Sequence, residues 1–279
     1  MFPIRDIDTI IFSKPYVTYG LISANVAIFL IELYLGGSLF FSDSLAVTQF
    51  FYKWGAIPQE LTSGTEITQF EYFVREGQYI SRKFLDVKSQ IPIWGTVFTS
   101  MFIHGGWLHL IGNMVYLWVF GRNIEDRFGH IKFLIIYLSA GIIAVSAQTY
   151  VTQDSLSPMI GASGAIAGIS GAYIMLFPFA RIKTLILFFF IMAIDLPAIV
   201  LLGFWFLLQF FQGVGSLGTL EGNIAYWAHV GGFIAGLTAA FLYKLIRREP
   251  LWPKSSRSHR SHNPYEYPSD YYSDYYNDS

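Results

Sequence analysis

The chain has 279 residues, of which 53 per cent are hydrophobic and 18 per cent aromatic, and its mean hydropathy is +0.45. Charged residues make up only 13 per cent and the net charge is −1, whereas an ordinary soluble domain carries about 25 per cent charged residues. That balance argues against a water-soluble enzyme, a disordered hub and a nucleic-acid binder, and the absence of cysteine removes disulfides, thiolate metal sites and a cysteine nucleophile.

A helix crossing the hydrocarbon core needs about 20 mostly apolar residues, so stretches without Asp, Glu, Lys or Arg mark the candidate spans. Residues 1–15 form a leading segment that carries Arg5 and Lys14. The uncharged run from Pro15 to Ile31 predicts a first span over 16–36. A secretory signal has an apolar core of roughly 7–15 residues, shorter than this run, which favours a retained helix. Segment 37–106 mixes aromatic residues such as Phe50, Tyr52 and Trp54 with charges, and is expected as a long external loop with short interfacial helices.

The run Ser89 to Gly121 predicts a second span over 107–121, opened by Gly105 and Gly106. Phe133 to Gln153 predicts a third over 133–151, and Ser155 to Ala180 a fourth over 160–177. Between Thr184 and Leu220 the only charge is Asp195, which predicts a fifth span over 194–211, with Thr184–Ala193 either extending it or standing apart. Gly222 to Tyr243 predicts a sixth over 226–243. Glu32 and Asp195 fall near span ends, where water is close. After Arg248 the composition turns polar, and 249–279, with six Tyr between positions 265 and 276, is expected as a disordered tail.

Lys and Arg in short loops set orientation. Arg122, Arg127 and Lys132, then Arg181 and Lys183, then Lys244, Arg247 and Arg248 fall on the same side as Arg5 and Lys14, while loops 152–159 and 212–225 contain neither residue type. Both termini are therefore expected in the cytoplasm. The fold class that follows is an all-α polytopic membrane protein, a six-helix membrane domain over 16–248.

Polar side chains inside spans are costly, so each needs a partner or a task. His109 and Asn113 in the second span, Ser163 in the fourth and His229 in the sixth share nearly one depth. An isolated membrane serine is explained as well by close helix packing, and Gly164 and Gly168 form a small-xxx-small pair that fits it. Gly232 and Gly236, however, lie on the side of the sixth helix that carries His229. Two glycine faces can bring a serine hydroxyl within reach of an imidazole, the usual base for a serine nucleophile. No acidic residue in the sixth span orients His229, so the pattern is a dyad held by packing. His109 and Asn113, four residues apart on one helix face, supply an imidazole N–H and an amide NH₂ suited to an oxyanion, although helix-to-helix hydrogen bonding would explain them too.

Four blocks in order carry a family resemblance: His104-Gly-Gly-Trp-Leu-His109-Leu-Ile-Gly-Asn113, then Gly121-Arg-Asn-Ile-Glu125-Asp-Arg-Phe-Gly129, then Gly161-Ala-Ser163-Gly164 with Gly168, and Ala228-His229 with Gly232 and Gly236. Over roughly residues 95–245 the chain resembles the rhomboid family of intramembrane serine proteases. The resemblance implies Ser163 as nucleophile, His229 as general base, and Asn113, His109 and the Ser163 backbone N–H as oxyanion donors. His104, Gly161, Gly164 and Gly232 match supporting positions. Some members place an aromatic residue one turn after the nucleophile, against the histidine; here that position is Ala167.

The implied substrates are single-span or other transmembrane proteins, embedded in the same lipid, with no nucleic acid, cofactor or metal involved. The expected location is the plasma membrane of a prokaryote. The glycine-containing stretch 212–222, together with the fifth helix, is expected to act as a mobile gate. Two readings from other classes are a bis-histidine haem protein using His109 and His229, and a non-catalytic binder of membrane clients on the same fold.

Overall fold

The computed structural model describes residues 1–36, 44–76, 79–187, 191–217 and 224–252. The chain opens with strand β1 (Phe2–Asp6) and helix α1 (Tyr16–Gly36). Helices α2 (Leu45–Trp54) and α3 (Pro58–Ser63), the hairpin β2 (Gln69–Glu76) and β3 (Tyr79–Asp86), and α4 (Ile93–Thr99) fill the expected external segment. Ser44 caps α2 by accepting the Val47 N–H at 3.2 Å. The short helices expected there are thus joined by an antiparallel hairpin that the sequence reading did not include.

Helix α5 (Trp107–Tyr116) runs through a π-turn (Leu117–Gly121) into α6 (Arg122–Phe128). The helical backbone therefore continues past the predicted end at 121. Gly129, with φ of 79°, breaks it in a conformation that a side chain rarely adopts, and α7 (His130–Val151) follows. Next come α8 (Ser163–Leu176), strands β4 (Arg181–Leu187) and β5 (Ile191–Pro197), α9 (Ala198–Gly215) and α10 (Tyr226–Ile246). Among the described residues four helices, α1, α7, α9 and α10, are long and apolar enough to cross a membrane on their own.

The all-α expectation is corrected here, since the described residues contain five strands. Of the run 184–193, residues 184–187 lie in β4 and 191–193 in β5, so it is a piece apart from the fifth helix, with 188–190 outside the described residues. Strands β1, β4 and β5 form one antiparallel sheet of order β1-β4-β5, with Phe2 opposite Leu185 and Lys183 opposite Asp195. Period-two alternation explains it: Arg181 and Lys183 face outward while Ile182 and Thr184 are fully buried. Pro197 ends the sheet and opens α9, because its ring fixes φ and it has no N–H to donate. The fifth helix accordingly starts at Ala198 rather than 194. Residues 253–279, most of the expected tail, lie outside the described residues, as do 218–223 of the proposed gate loop.

Helix α8 occupies the centre and is buried at every residue from Gly164 to Tyr173. It packs on α10 and α7 through glycines. A Cβ on Gly232 would stand 2.0 Å from the Gly164 carbonyl oxygen, and one on Gly168 would stand 2.3 Å from the Ala140 Cβ. With no side chains in the way, backbones meet directly.

At the opposite end from Ser163, carboxylates tie the leading segment to the bundle. Glu125 accepts the N–H groups of Val17 and Thr18 at 2.8 and 2.7 Å, the Thr18 hydroxyl at 2.6 Å, and sits 2.6 Å from His130 Nδ1. Asp126 accepts from Phe12 and Ser13 backbone N–H groups. Asp6 accepts from Asn123 and from the Tyr173 hydroxyl.

Candidate active site

Ser163 is the first residue of α8, entered from Gly161 at φ 121°. The first N–H groups of a helix have no intrahelical acceptor, and they carry the positive end of its dipole. Both the hydroxyl and the backbone N–H of Ser163 therefore stand where negative charge is favoured.

His229 lies in the first turn of α10, and its Nε2 is 2.8 Å from Ser163 Oγ. The glycine contacts described above set this distance, because any Cβ at Gly232 would drive the two helices apart. Gln148 on α7 also fixes the start of α10: its Oε1 accepts the Trp227 and Ala228 N–H groups at 3.0 and 3.3 Å.

The other ring nitrogen of His229 is also engaged. Nδ1 stands 2.6 Å from Oε1 of Gln209 on α9, and the Trp205 ring lies 5.8 Å away centroid to centroid. The expectation that packing alone holds the imidazole is therefore corrected. Ala167 is buried, and an amide takes part in positioning the ring from a different helix. Both ring nitrogens of His229 are thus engaged within the protein, Nδ1 by Gln209 and Nε2 by Ser163.

His109 accepts the Gly105 N–H at Nδ1, 3.3 Å away, so its Nε2 carries the proton. A Cβ on Gly161 would stand 2.7 Å from His109 Nε2 and 3.7 Å from Ser163 Oγ. The imidazole edge and the hydroxyl thus flank one backbone point, and glycine at 161 leaves room for both. Asn113, one turn further along α5, is buried, and its Nδ2 has no hydrogen-bond partner among the described residues. A small cavity of about 30 Å³ adjoins Ser163, lined by Ser100, Met159, Gly161 and Ala225 among others, roughly the scale of one or two water molecules.

His104 is fully buried. Its ring lies 5.0 Å from that of His109, and its backbone N–H donates to Glu32 Oε1 at 3.0 Å. Glu32 itself has no exposure. The placement of Glu32 near water is thereby corrected: it faces inward from α1 and holds the turn that precedes α5.

The structure therefore brings Ser163, His229, His109, Gly161 and Gly164 into one neighbourhood, with Asn113 on the His109 face and His104 behind it. Sequence reasoning missed Gln209, Gln148 and the burial of Glu32. An uncharged amide inside an otherwise apolar run was the available signal for both glutamines.

Comparisons with known proteins bear on the family to which the chain belongs. The model of the Rhomboid domain matches residues 92–245. RHOMBOID-like protein 6, mitochondrial, of Arabidopsis thaliana is 29% identical over 176 residues, 61% of this chain and 52% of that protein. Rhomboid protease GluP of Bacillus subtilis is 31% identical over 147 residues, 53% of this chain and 25% of that protein. Rhomboid protein 1, mitochondrial, of Saccharomyces cerevisiae is 30% identical over 170 residues, 58% and 45% of the two chains. The chain spans about half the length, or less, of the curated relatives it matches.

Proposed function

The chain belongs to the Rhomboid family, and on that premise we propose that it is an intramembrane serine endopeptidase acting through Ser163 and His229. The single observation that carries the proposal is the 2.8 Å contact between His229 Nε2 and Ser163 Oγ, made by two glycine-packed helices inside an apolar bundle. A relative named as a rhomboid protease, GluP of Bacillus subtilis, supports the reaction class.

In this reading the Ser163 hydroxyl attacks a peptide carbonyl while its proton passes to His229 Nε2. The oxyanion is met by the Asn113 amide, the His109 Nε2–H and the Ser163 backbone N–H. The tetrahedral species collapses by breaking the C–N bond, and the imidazolium returns its proton to the leaving amine. Water, deprotonated by the same imidazole, then releases the acyl group. The substrates are transmembrane segments, and weakly helical stretches are preferred because a carbonyl must leave its helix before a serine can reach it.

The protein is an integral membrane protein, and six crossings are the proposed topology. The helical run from Trp107 to Phe128 is long enough to span once the π-turn is counted as part of it. Helix α8 is short, about 21 Å at 1.5 Å per residue, as suits a helix that begins below the external surface. Cytoplasmic termini follow from the Lys and Arg distribution. The matched relatives include proteins named as mitochondrial, from a plant and a yeast, as well as bacterial ones, so they give no support to a prokaryotic plasma membrane in particular.

Cleavage of a panel of single-span substrates by the wild type, Ser163→Ala and His229→Ala tests the proposal. Both variants are expected to be inactive. Retained cleavage by Ser163→Ala overturns the assignment, and binding without cleavage by the wild type would favour the client binder.

A further inference from the structure

Helix α9 carries a polar side chain into the site from outside the two helices that hold Ser163 and His229. Gln209 is half-buried, on the face of α9 turned towards α10, and its Oε1 lies 2.6 Å from His229 Nδ1. An amide oxygen only accepts hydrogen bonds, so Nδ1 carries the ring proton and Nε2 presents its lone pair to the Ser163 hydroxyl. That is the tautomer a general base requires. The groups facing this imidazole are Gln209 and Trp205 on α9, Ser163 on α8, and, across the site, His109 on α5. None of these is a carboxylate.

Resting on the protease reading, we propose that Gln209 is a positioning residue for the general base, and that the seating of α9 thereby sets whether the base is competent. The helix is held at its start by the segment that precedes it and, nearer Gln209, by α10, where Phe206 stacks on Phe233 at 4.6 Å and Phe210 meets Trp227 at 6.1 Å. At its start, Ala198, Leu201 and Leu202 are buried, and the Ala198 and Ile199 N–H groups donate to Ala180 and Pro178 at 2.8 and 2.9 Å. Beside Gln209, Leu207, Leu208 and Phe211 are exposed, while Gly213 rests against Tyr226 and Trp227. A hydrogen bond of this kind weakens steeply beyond about 3.2 Å, so an outward shift of roughly 1 Å at Gln209 separates the amide from the ring. With α9 displaced, Nδ1 loses its acceptor and the preferred tautomer is no longer imposed. With α9 seated, the proton that leaves Ser163 enters Nε2, and the resulting imidazolium keeps its Nδ1–H on the amide. No proton passes to Gln209.

The test uses the full chain in proteoliposomes and in detergent, with the wild type, Ser163→Ala, Gln209→Met and Gln209→Glu. Two readouts are taken: kcat and KM on a single-span substrate, and the second-order rate at which a small fluorophosphonate labels Ser163. Methionine keeps the volume and removes the acceptor; glutamate keeps an acceptor. Gln209→Met is expected to lower kcat and the labelling rate together, on the order of 10- to 100-fold, with KM unchanged. Gln209→Glu is expected to recover most of the labelling rate and to move the acidic limb of the pH–rate profile to higher pH, because a carboxylate stabilises the imidazolium. Wild-type kcat and labelling in Gln209→Met overturn the proposal. Should Gln209→Met fail to fold, an unmoved acidic limb in Gln209→Glu overturns it instead. Activity in the wild type that survives Ser163→Ala would sink the protease reading itself, which is a different result from a silent Gln209→Met.

Discussion

A Cβ placed on Gly236 would stand 1.7 Å from the carbonyl oxygen of Gly168. Neither atom belongs to a flexible side chain, so the collision can be relieved only by separating α8 from α10. Gly236→Ala is expected to destabilise the protein by about 3 kcal/mol or more and to abolish activity through the Ser163–His229 distance. Gly203→Ala on α9, where nothing lies within 4 Å of the added carbon, should leave the melting temperature unchanged or slightly raised. Thermal unfolding of both variants in one detergent makes the comparison.

Asn113→Ala removes an amide whose Nδ2 has no partner among the described residues. A donor that acts on an oxyanion is missed in the transition state and little in the ground state. A fall in kcat of about 10²–10³ with KM nearly constant is therefore expected, and steady-state kinetics on a single-span substrate measure it.

Glu32→Ala strips the acceptor from the buried His104 N–H, whereas Glu32→Gln keeps an oxygen in the same place. An orphaned buried N–H costs about 1–3 kcal/mol. The alanine variant should lose about that much stability, melt at a lower temperature and lose activity as the turn before His109 loosens, and the glutamine variant should stay near the wild type. Equal melting temperatures for all three proteins would show that the hydrogen bond is not needed.

The chain has no cysteine, so a thiol pair can be introduced cleanly. Tyr116 on α5 and Trp205 on α9 have ring centroids 6.3 Å apart. Measured against the same double-cysteine variant before cross-linking, since Trp205 also touches His229, joining Tyr116→Cys to Trp205→Cys with a thiol cross-linker is expected to stop cleavage of transmembrane substrates without a further fall in fluorophosphonate labelling. Unchanged cleavage in the cross-linked protein would rule out movement of α9 as the entry route.

Asp8 outside the membrane region supplies a pH-dependent contact. Burial pushes its carboxyl pKa up, but hydrogen bonds from the Arg181 side chain and backbone, together with the Arg181 charge, outweigh burial and hold it below the ordinary carboxylate value. A folded pKa below the unfolded one contributes stability above the ordinary value, and that contribution disappears as pH falls through the folded value. The Asp8–Arg181 contact should therefore weaken only as pH falls below the ordinary carboxylate range, and Asp8→Asn should remove that contact's share of the pH dependence. Limited proteolysis near residue 8 across a pH series reports it.

The membrane helices were legible because the charges lie almost wholly outside them, and Ser163, His229, His109 and Asn113 stood out as polar groups against that background. The strands β4 and β5 were obscured because short apolar strands and the end of a buried helix share a composition, although the alternation of Arg181 and Lys183 with Ile182 and Thr184 was present to be read. Glu32 was misplaced because distance along a helix says nothing about the direction in which its side chain faces. Gln209 carries no charge, so a search for ionisable residues passed over it, and its partner is 20 residues away on another helix.

The backbone hydrogen bonds between β1 and β4 close residues 2–185 into a ring. Two strands cannot share a ladder across about 30 Å of hydrocarbon, so both ends of that ring stand in one compartment. The chain between them must then cross the membrane an even number of times. If α1 and α7, each long and apolar enough to cross, are two of those crossings, the run Trp107–Phe128 and helix α8 either both cross or both stay on one side, and the strand register rules out any odd count between Asp6 and Arg181.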